Sequence, residues 1–154
     1  NDTTELELAM VNKVVQLNKN NFVLYQDIFG GLQEKSKMNI KEFYKVIASL
    51  DIGDNHKLYV LNDKNKQYLG VINNYDVKEV KFEPYNKCVE IIKNNYYIFS
   101  DLIGTKDVET NSIIHKVYKA KGIYIDNLNR TILKIYDCKD KFVGYIDKEA
   151  IKIL

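Results

Sequence analysis

The chain has 154 residues, enough for one ordinary domain or two small ones. Hydrophobic residues make up 45% of it and charged residues 29%, as in globular proteins, and no apolar run approaches the roughly 18 residues of a membrane-spanning helix. We therefore expect no membrane span. The 23 Lys and Arg residues against 21 Asp and Glu leave a formal charge of +2, and the two signs are interleaved. Because the charges are mixed and Arg130 is the one arginine, we also expect no nucleic-acid partner.

The sequence repeats itself at a spacing of 74 residues. The segment NNFVLYQDIFG begins at Asn20, a near-copy NNYYIFSDLIG begins at Asn94, and the two copies stay in step without a gap to the end of the chain. They share 12 identities over 61 aligned positions. Because internal repetition is a property of the architecture, we predict two tandem modules, at 5–78 and 79–154.

The first module reads as short strands separated by turns rich in Asn, Asp and Gly. Its polar stretch 31–39 predicts a long loop. The segment 40–47 carries a helix-like stripe, but its counterpart IHKVYKAKGIYI alternates, so we predict a strand in both copies, with a short helix in the first copy as the alternative. KLYVLN and QYLGVI then predict a hairpin, and NNYDVKEV closes the module.

The second module predicts the same order of elements. Its junction with the first, 80–87, contains the one proline, Pro84, and predicts a short fixed linker. A second polar stretch, 105–112, predicts another long loop. In TILKIY the alternation places Leu133 and Ile135 on one face of a strand. KFVGYI is its partner strand, and DKEAIKIL predicts a helical turn and a final strand.

Two glycines, Gly70 and Gly144, occupy equivalent positions inside predicted strands. Glycine ordinarily weakens a strand, so its presence in both copies predicts a bulge, a sharp bend or the close approach of another backbone. A small, strongly curved barrel requires such bends.

The residues that usually carry chemistry form no constellation in this sequence. Cys88 and Cys138 stand in no CxxC spacing, and we expect ordinary half-buried thiols, with a disulfide left open. His56 and His115 belong to no HxxxH or HExxH pattern. The aspartates that recur in both copies fall at strand ends, where Asp serves turns. We therefore predict no metal, no cofactor and no catalytic activity for this chain.

The order of elements resembles a known family of modules. A Tyr-Lys pair at Tyr44 and Tyr118, a strand such as KLYVLN, a polar turn, and an aromatic–apolar–Gly–x–Ile strand are similar to the GW modules of Gram-positive autolysins and surface proteins. The Gly-Trp dipeptide of that family matches Gly70-Val71 and Gly144-Tyr145, and the chain contains no tryptophan. The resemblance implies an all-β fold of two tandem Src-homology-3-like small barrels.

The resemblance also implies a function. GW modules are non-catalytic and hold proteins on the cell wall or extracellular surface, so we expect teichoic or lipoteichoic acid, or another wall polymer, as the partner. The chain begins at Asn1 rather than at a methionine, and we expect it to be part of a longer protein. Lysines would meet phosphates and aromatic rings would meet sugar or glycerol units. The candidate contacts are Lys45, Tyr75, Lys119, Lys121, Tyr124, Lys134 and Tyr145.

A second interpretation of the sequence stays open. The near-neutral charge, the absence of tryptophan and the two cysteines also suit a structural or oligomerisation segment. In that case the chain would dock onto a protein partner or onto itself, as the tail of an envelope-biosynthesis enzyme on the cytoplasmic face of the membrane.

Overall fold

A computed structural model describes residues 8–33 and 38–154. The chain divides into two compact units, Asn1–Val80 (unit 1) and Lys81–Leu154 (unit 2). Each unit contains one seven-stranded antiparallel sheet. Apart from three short 3₁₀ turns, the described ranges contain no helix. The predicted fold class, all-β with two tandem small β domains, is confirmed.

The strands of unit 1 are β1 to β7: Leu8–Leu17, Leu24–Asp27, Gly30–Leu32, Tyr44–Asp51, Lys57–Asn62, Tyr68–Asn73 and Val77–Glu79. A 3₁₀ turn at Asn74–Asp76 precedes the last of them. The strands of unit 2 are β8 to β14: Glu83–Ile91, Tyr97–Phe99, Lys106–Glu109, Val117–Ile125, Thr131–Tyr136, Phe142–Asp147 and Ile151–Ile153. Its 3₁₀ turns are at Thr110–Ser112 and Lys148–Ala150.

The two sheets have the same topology. Unit 1 has the strand order β3-β2-β6-β5-β4-β1-β7, and unit 2 has the order β10-β9-β13-β12-β11-β8-β14, which is the same series seven strands later. The hairpin strands β5 and β6 map onto β12 and β13, residue for residue, at the 74-residue spacing of the repeat. The sequence repeat is therefore a repeat of structure.

Each unit is held by its own apolar core. In unit 2 the side chains of Val89, Ile98, Leu133, Ile135 and Ile146 lie in one cluster and are almost completely shielded from solvent. Burying a side chain of this size stabilises the folded state by about 1.5–3 kcal/mol. The buried pair Leu133 and Ile135 confirms the face that the alternation in TILKIY predicted.

Gly70 and Gly144 lie where one strand crosses closely over another. Gly144 has φ +157°, and a Cβ placed there would lie 2.5 Å from the carbonyl oxygen of Phe99. Gly70 has φ +145°, and its Cβ would lie 2.8 Å from the carbonyl oxygen of Tyr25. The pairing register also shifts beside each glycine. The predicted close approach and bulge are confirmed.

Some predicted elements differ from the structure. The strand predicted over 40–47 begins only at Tyr44, because the residues before it form a turn. The stretch 31–39 is not all loop, since its first two residues belong to β3, and residues 34–37 lie outside the described part of the chain.

The predicted loop 105–112 is likewise structured, as strand β10 and a 3₁₀ turn. Pro84 lies in β8 rather than in a linker. It pairs with Gly122 across the sheet. Both cysteines are free and exposed rather than half-buried. Cys88 lies at a solvent-exposed position of β8, and Cys138 lies in an exposed turn. Neither thiol therefore packs into the apolar core.

Candidate functional site

A bulge in β11 collects lysine and tyrosine side chains on one face of the unit 2 sheet. The pairing of β11 shifts by one residue between Ala120 and Gly122, against both neighbouring strands. An extra residue reverses the in–out alternation of a strand. Lys119, Lys121 and Tyr124 consequently project from the same face, opposite the buried core.

Strand β12 supplies the centre of this face. Because Leu133 and Ile135 point into the core, the residues that alternate with them, Lys134 and Tyr136, point outward. Directly opposite residues share a face, so Tyr145 of β13, which pairs with Lys134, projects outward as well.

Aromatic rings form a continuous series of contacts across the face. Phe82 lies 5.7 Å from Tyr124 and 5.3 Å from Tyr145, measured between ring centroids. Phe142 continues the series at 5.4 Å from Tyr145 and 5.6 Å from Tyr136, with both pairs edge-to-face. Rings at these separations attract one another beyond the area that they bury.

Lysine ammonium groups lie above these rings. The Nζ of Lys121 is 4.9 Å from the ring centre of Tyr136, and the Nζ of Lys134 is 5.5 Å from that of Phe142. At the other end of the face, Lys106 Nζ lies 4.2 Å from the ring centre of Tyr97. These are cation–π distances. We call the surface the aromatic–lysine face; it comprises Phe82, Tyr97, Phe99, Lys106, Lys119, Lys121, Tyr124, Lys134, Tyr136, Phe142 and Tyr145.

The carboxylate of Asp140 lies at the edge of this face. Lys119 Nζ donates to its Oδ1 at 3.1 Å, and Lys121 Nζ lies 3.0 Å from the same oxygen. The hydrogen bonds from Lys121 and Lys119 lower the pKa of Asp140 below its usual value. Both lysines therefore share a single oxygen atom.

Two tyrosines of the face are partly withdrawn from water. Tyr124 is only 4% exposed, so its ring packs against Phe82 and offers little surface to a ligand. Burial, followed by the nearby Asp126 carboxylate, raises its pKa to about 12. Burial also raises the pKa of Tyr145, which remains half-buried. Both hydroxyls are neutral donors at physiological pH.

Unit 1 carries a different surface at the equivalent positions. Lys121, Tyr124, Lys134 and Tyr145 correspond to aliphatic residues, and Lys119 corresponds to Lys45. The full set of equivalents is Leu8, Val23, Tyr25, Leu32, Lys45, Ile47, Leu50, Val60, Asn62, Tyr68 and Val71. Four of these, Tyr25, Leu50, Val60 and Val71, pack with Leu58 and Ile28 into an additional apolar cluster, so this face of unit 1 is mainly hydrophobic.

The two unit 1 candidates are not part of a comparable surface. Lys45 lies in β4, paired with Val14 and Asn62. Tyr75 is exposed in the 3₁₀ turn, and its ring centre lies 5.2 Å from that of His56. The structure therefore brings together the five candidates of unit 2 and leaves Lys45 and Tyr75 on separate elements.

Sequence reasoning missed several members of the face. Tyr136 follows Lys134 at the spacing of two that places side chains on one side of a strand, so the pattern itself indicated it. The predicted hairpin could also have identified Phe142, because this residue pairs with Tyr136 across it. Phe82 and Asp140 gave no comparable signal in the sequence, because Phe82 lies just before strand β8 and Asp140 lies in a turn.

Unit 2 also has a shallow groove of about 470 Å³, separate from the aromatic–lysine face. It lies between the β11–β12 turn and the 3₁₀ turn, and residues 128–131 and 147–149 line it. Its organising group is the buried carboxylate of Asp126, whose Oδ2 accepts from Arg130 Nε at 2.5 Å and whose Oδ1 accepts from the backbone of Leu128 and Arg130. Lys148 and Glu149 complete a lining of mixed charge.

The matching region of unit 1 contains a network of amide and imidazole side chains. His56 Nε2 and Asn73 Oδ1 are 2.6 Å apart, and Asn74 Nδ2 donates to the carbonyl oxygen of Asn55 at 3.0 Å. Charged side chains in unit 2 thus replace amides and an imidazole in unit 1.

Within the described residues, no helix has the length and apolar character of a membrane span.

The chain was compared with protein families, with curated proteins and with solved structures. No family model and no curated protein matches the chain. Among solved structures, the chain is similar to the crystal structure of a candidate autolysin from Listeria monocytogenes, at 15% sequence identity and a TM-score of 0.43. The match covers 96% of this chain and 64% of that one.

Proposed function

We propose that this chain is a non-catalytic binding module that holds a longer protein on the Gram-positive cell wall through teichoic or lipoteichoic acid. The observation that supports the proposal best is the aromatic–lysine face of unit 2, where four of the expected contact residues, Lys119, Lys121, Lys134 and Tyr145, lie on one surface and the fifth, Tyr124, packs beneath it. The resemblance of both repeats to GW modules points in the same direction.

The layout of the face suits a polymer in which anionic groups alternate with sugar or polyol units. Lys121 and Lys134 would meet phosphates, while Tyr136 and Phe142 between them would offer flat apolar surface to the carbon-bearing units. Each exposed charge contact contributes little, roughly 0.2–1 kcal/mol. A repeating ligand compensates for weak contacts, since one bound unit raises the effective concentration of the next.

The direct experiment is retention of the purified chain on Gram-positive sacculi, with and without their teichoic acid. The variant Lys121→Gln/Lys134→Gln removes two charges from the face, and we expect it to lose about tenfold in affinity if the two contacts act together. A matched control, Lys64→Gln/Lys78→Gln, removes two exposed charges from unit 1 and should bind as the unaltered chain does.

Two outcomes would count against the proposal. Retention on sacculi stripped of teichoic acid would assign the binding to another wall component. Equal losses in the face variant and the control would show that net charge, and not the aromatic–lysine face, determines binding.

A second candidate function rests on unit 1. The β2–β3 hairpin exposes Phe29 by 89% and Leu32 by 76%, beside Val23, which is also exposed. Exposed apolar side chains of this kind commonly mark contacts between proteins. They favour docking or self-association of the tail of an envelope-biosynthesis enzyme. Native mass measured across a concentration series would separate the two functions, since a purely wall-binding chain stays monomeric.

A further inference from the structure

The ammonium groups of Lys119 and Lys121 converge on one point in unit 2. Both lie within 3.1 Å of the same oxygen, Oδ1 of Asp140, although the two lysines are two residues apart on β11. They can converge because residues two apart on a strand project from the same face, here the outer one. A position at hydrogen-bond distance from two ammonium groups is a strong site for an anionic oxygen.

We propose that Lys119 and Lys121 form an anion subsite for one phosphate oxygen of a polymer, and that Asp140 occupies this subsite in the free protein. The inference rests on the proposed function and specifies it. The carboxylate oxygen of Asp140 stands where an oxygen of the ligand would bind. A ligand must displace it, so the affinity of the free protein is lower than the two lysines alone would give.

The position of Asp140 makes displacement easy. It lies in the tight β12–β13 turn with φ +62° and is exposed, with a side-chain accessibility of 58%. Exposed ion pairs are weak because water screens them. A polyanion that supplies many phosphates can compete with a single surface carboxylate at this point.

The surroundings of the subsite favour a ligand with carbon-bearing units next to its charge. Lys121 also lies over the ring of Tyr136, and Lys134 lies near the rings of both Tyr136 and Phe142. The ring of Tyr136 thus separates the subsite from the next lysine along the face. A phosphate bound at the subsite would place its neighbouring sugar or polyol over that ring.

The positions of unit 1 that align with the subsite do not reproduce it. Lys45 matches Lys119, but Ile47 stands at the place of Lys121 and Lys66 at that of Asp140. At these aligned positions, the paired ammonium groups and the competing carboxylate occur in unit 2 and not in unit 1.

Isothermal titration calorimetry of the whole chain with poly(glycerol phosphate), at low ionic strength, tests the inference. In Asp140→Asn the competitor is neutral, and asparagine tolerates the positive φ of the turn. We expect binding about three to ten times tighter than that of the unaltered chain, from the loss of two exposed ion pairs. Asp54→Asn is the matched control, because Asp54 is also an exposed turn residue with positive φ (+54°), and it should change affinity less than twofold, roughly the effect of one distant screened charge.

A further variant assigns the gain to the two lysines. Adding Lys119→Gln/Lys121→Gln to Asp140→Asn should remove the gain. If the unaltered chain binds the polymer but Asp140→Asn binds no more tightly than Asp54→Asn, the subsite is wrong and the proposed function stands. If none of the proteins binds poly(glycerol phosphate), or sacculi that carry teichoic acid, the proposed function fails and the subsite fails with it.

Discussion

Asp126 shows how a single residue organises a turn in unit 2. Its side chain is fully buried and accepts three hydrogen bonds, two from backbone N–H groups and one from the guanidinium of Arg130. The equivalent residue of unit 1 is Ile52. A buried carboxylate is tolerated because a charged partner and several donors satisfy it.

We expect Asp126→Asn to lower the free energy of unfolding by about 1–3 kcal/mol, since the amide cannot replace the charge-assisted hydrogen bond to Arg130. Urea denaturation followed by circular dichroism measures the change. Asp107→Asn, at an exposed position of β10, serves as the control and should leave the midpoint unchanged. Equal midpoints for the two variants would show that the ion pair of Asp126 with Arg130 adds nothing to stability.

At the scale of the element, the hairpin strands β6 and β13 depend on their glycines. A side chain at Gly144 would collide with the backbone of Phe99, and backbone cannot move aside as a flexible side chain does. Gly53, by contrast, has φ +96°, and a Cβ added there would meet no atom within 4 Å. The two positions separate steric collision from backbone strain.

Gly144→Ala should lower the free energy of unfolding by about 2–4 kcal/mol, because collision adds to strain. Gly53→Ala should lower it by only about 1 kcal/mol, the contribution of strain alone. Thermal and urea unfolding of both variants provide the comparison. A Gly144→Ala protein as stable as Gly53→Ala would contradict the close crossing of β13 over β9.

The sequence predicted strands better than it predicted the candidate site. Alternation in TILKIY identified Leu133 and Ile135 as core residues, because a period of two follows directly from strand geometry. The repeat identified Gly70 and Gly144 as special positions. The bulge at Lys121 could not be predicted, since it depends on how three strands pair and no local pattern marks it.

Members of the face that come from distant strands could not be predicted from the sequence for a related reason. Phe82 reaches Tyr124 and Tyr145 only through the pairing of β8 with β11, a contact between residues some forty positions apart. The exposure of Cys88 and Cys138 was also mispredicted, because residue type indicates average burial and not the position of one residue in its strand.

At the scale of the whole molecule, one architecture occurs twice with different surfaces. The strand order and the hairpin positions are the same in both units, while the face that is aromatic and basic in unit 2 is mainly aliphatic in unit 1. The inward-facing residues that build a small β domain thus keep their apolar character, and the outward-facing residues vary. We expect the two units to contribute unequally to binding.

Binding of an anionic polymer to lysines on an exposed face should weaken as salt rises. Screening shortens the reach of exposed charges from about 10 Å at 0.1 M to about 3 Å at 1 M ionic strength. We expect the affinity for poly(glycerol phosphate) to fall at least about tenfold between 0.05 M and 0.5 M NaCl, as it does for other complexes that depend on phosphate contacts. Calorimetry at three salt concentrations measures this slope, and an affinity independent of salt would exclude binding through the lysines.

The most direct test of binding by unit 2 is a map of backbone amide chemical shifts in the whole, isotope-labelled chain as poly(glycerol phosphate) is added. We predict that the shifts concentrate on β11, β12 and β13 of unit 2, around Lys121, Lys134 and Tyr136, and that β4, β5 and β6 of unit 1 remain largely unaffected. Shifts spread equally over both units, or confined to unit 1, would contradict the assignment of binding to the aromatic–lysine face.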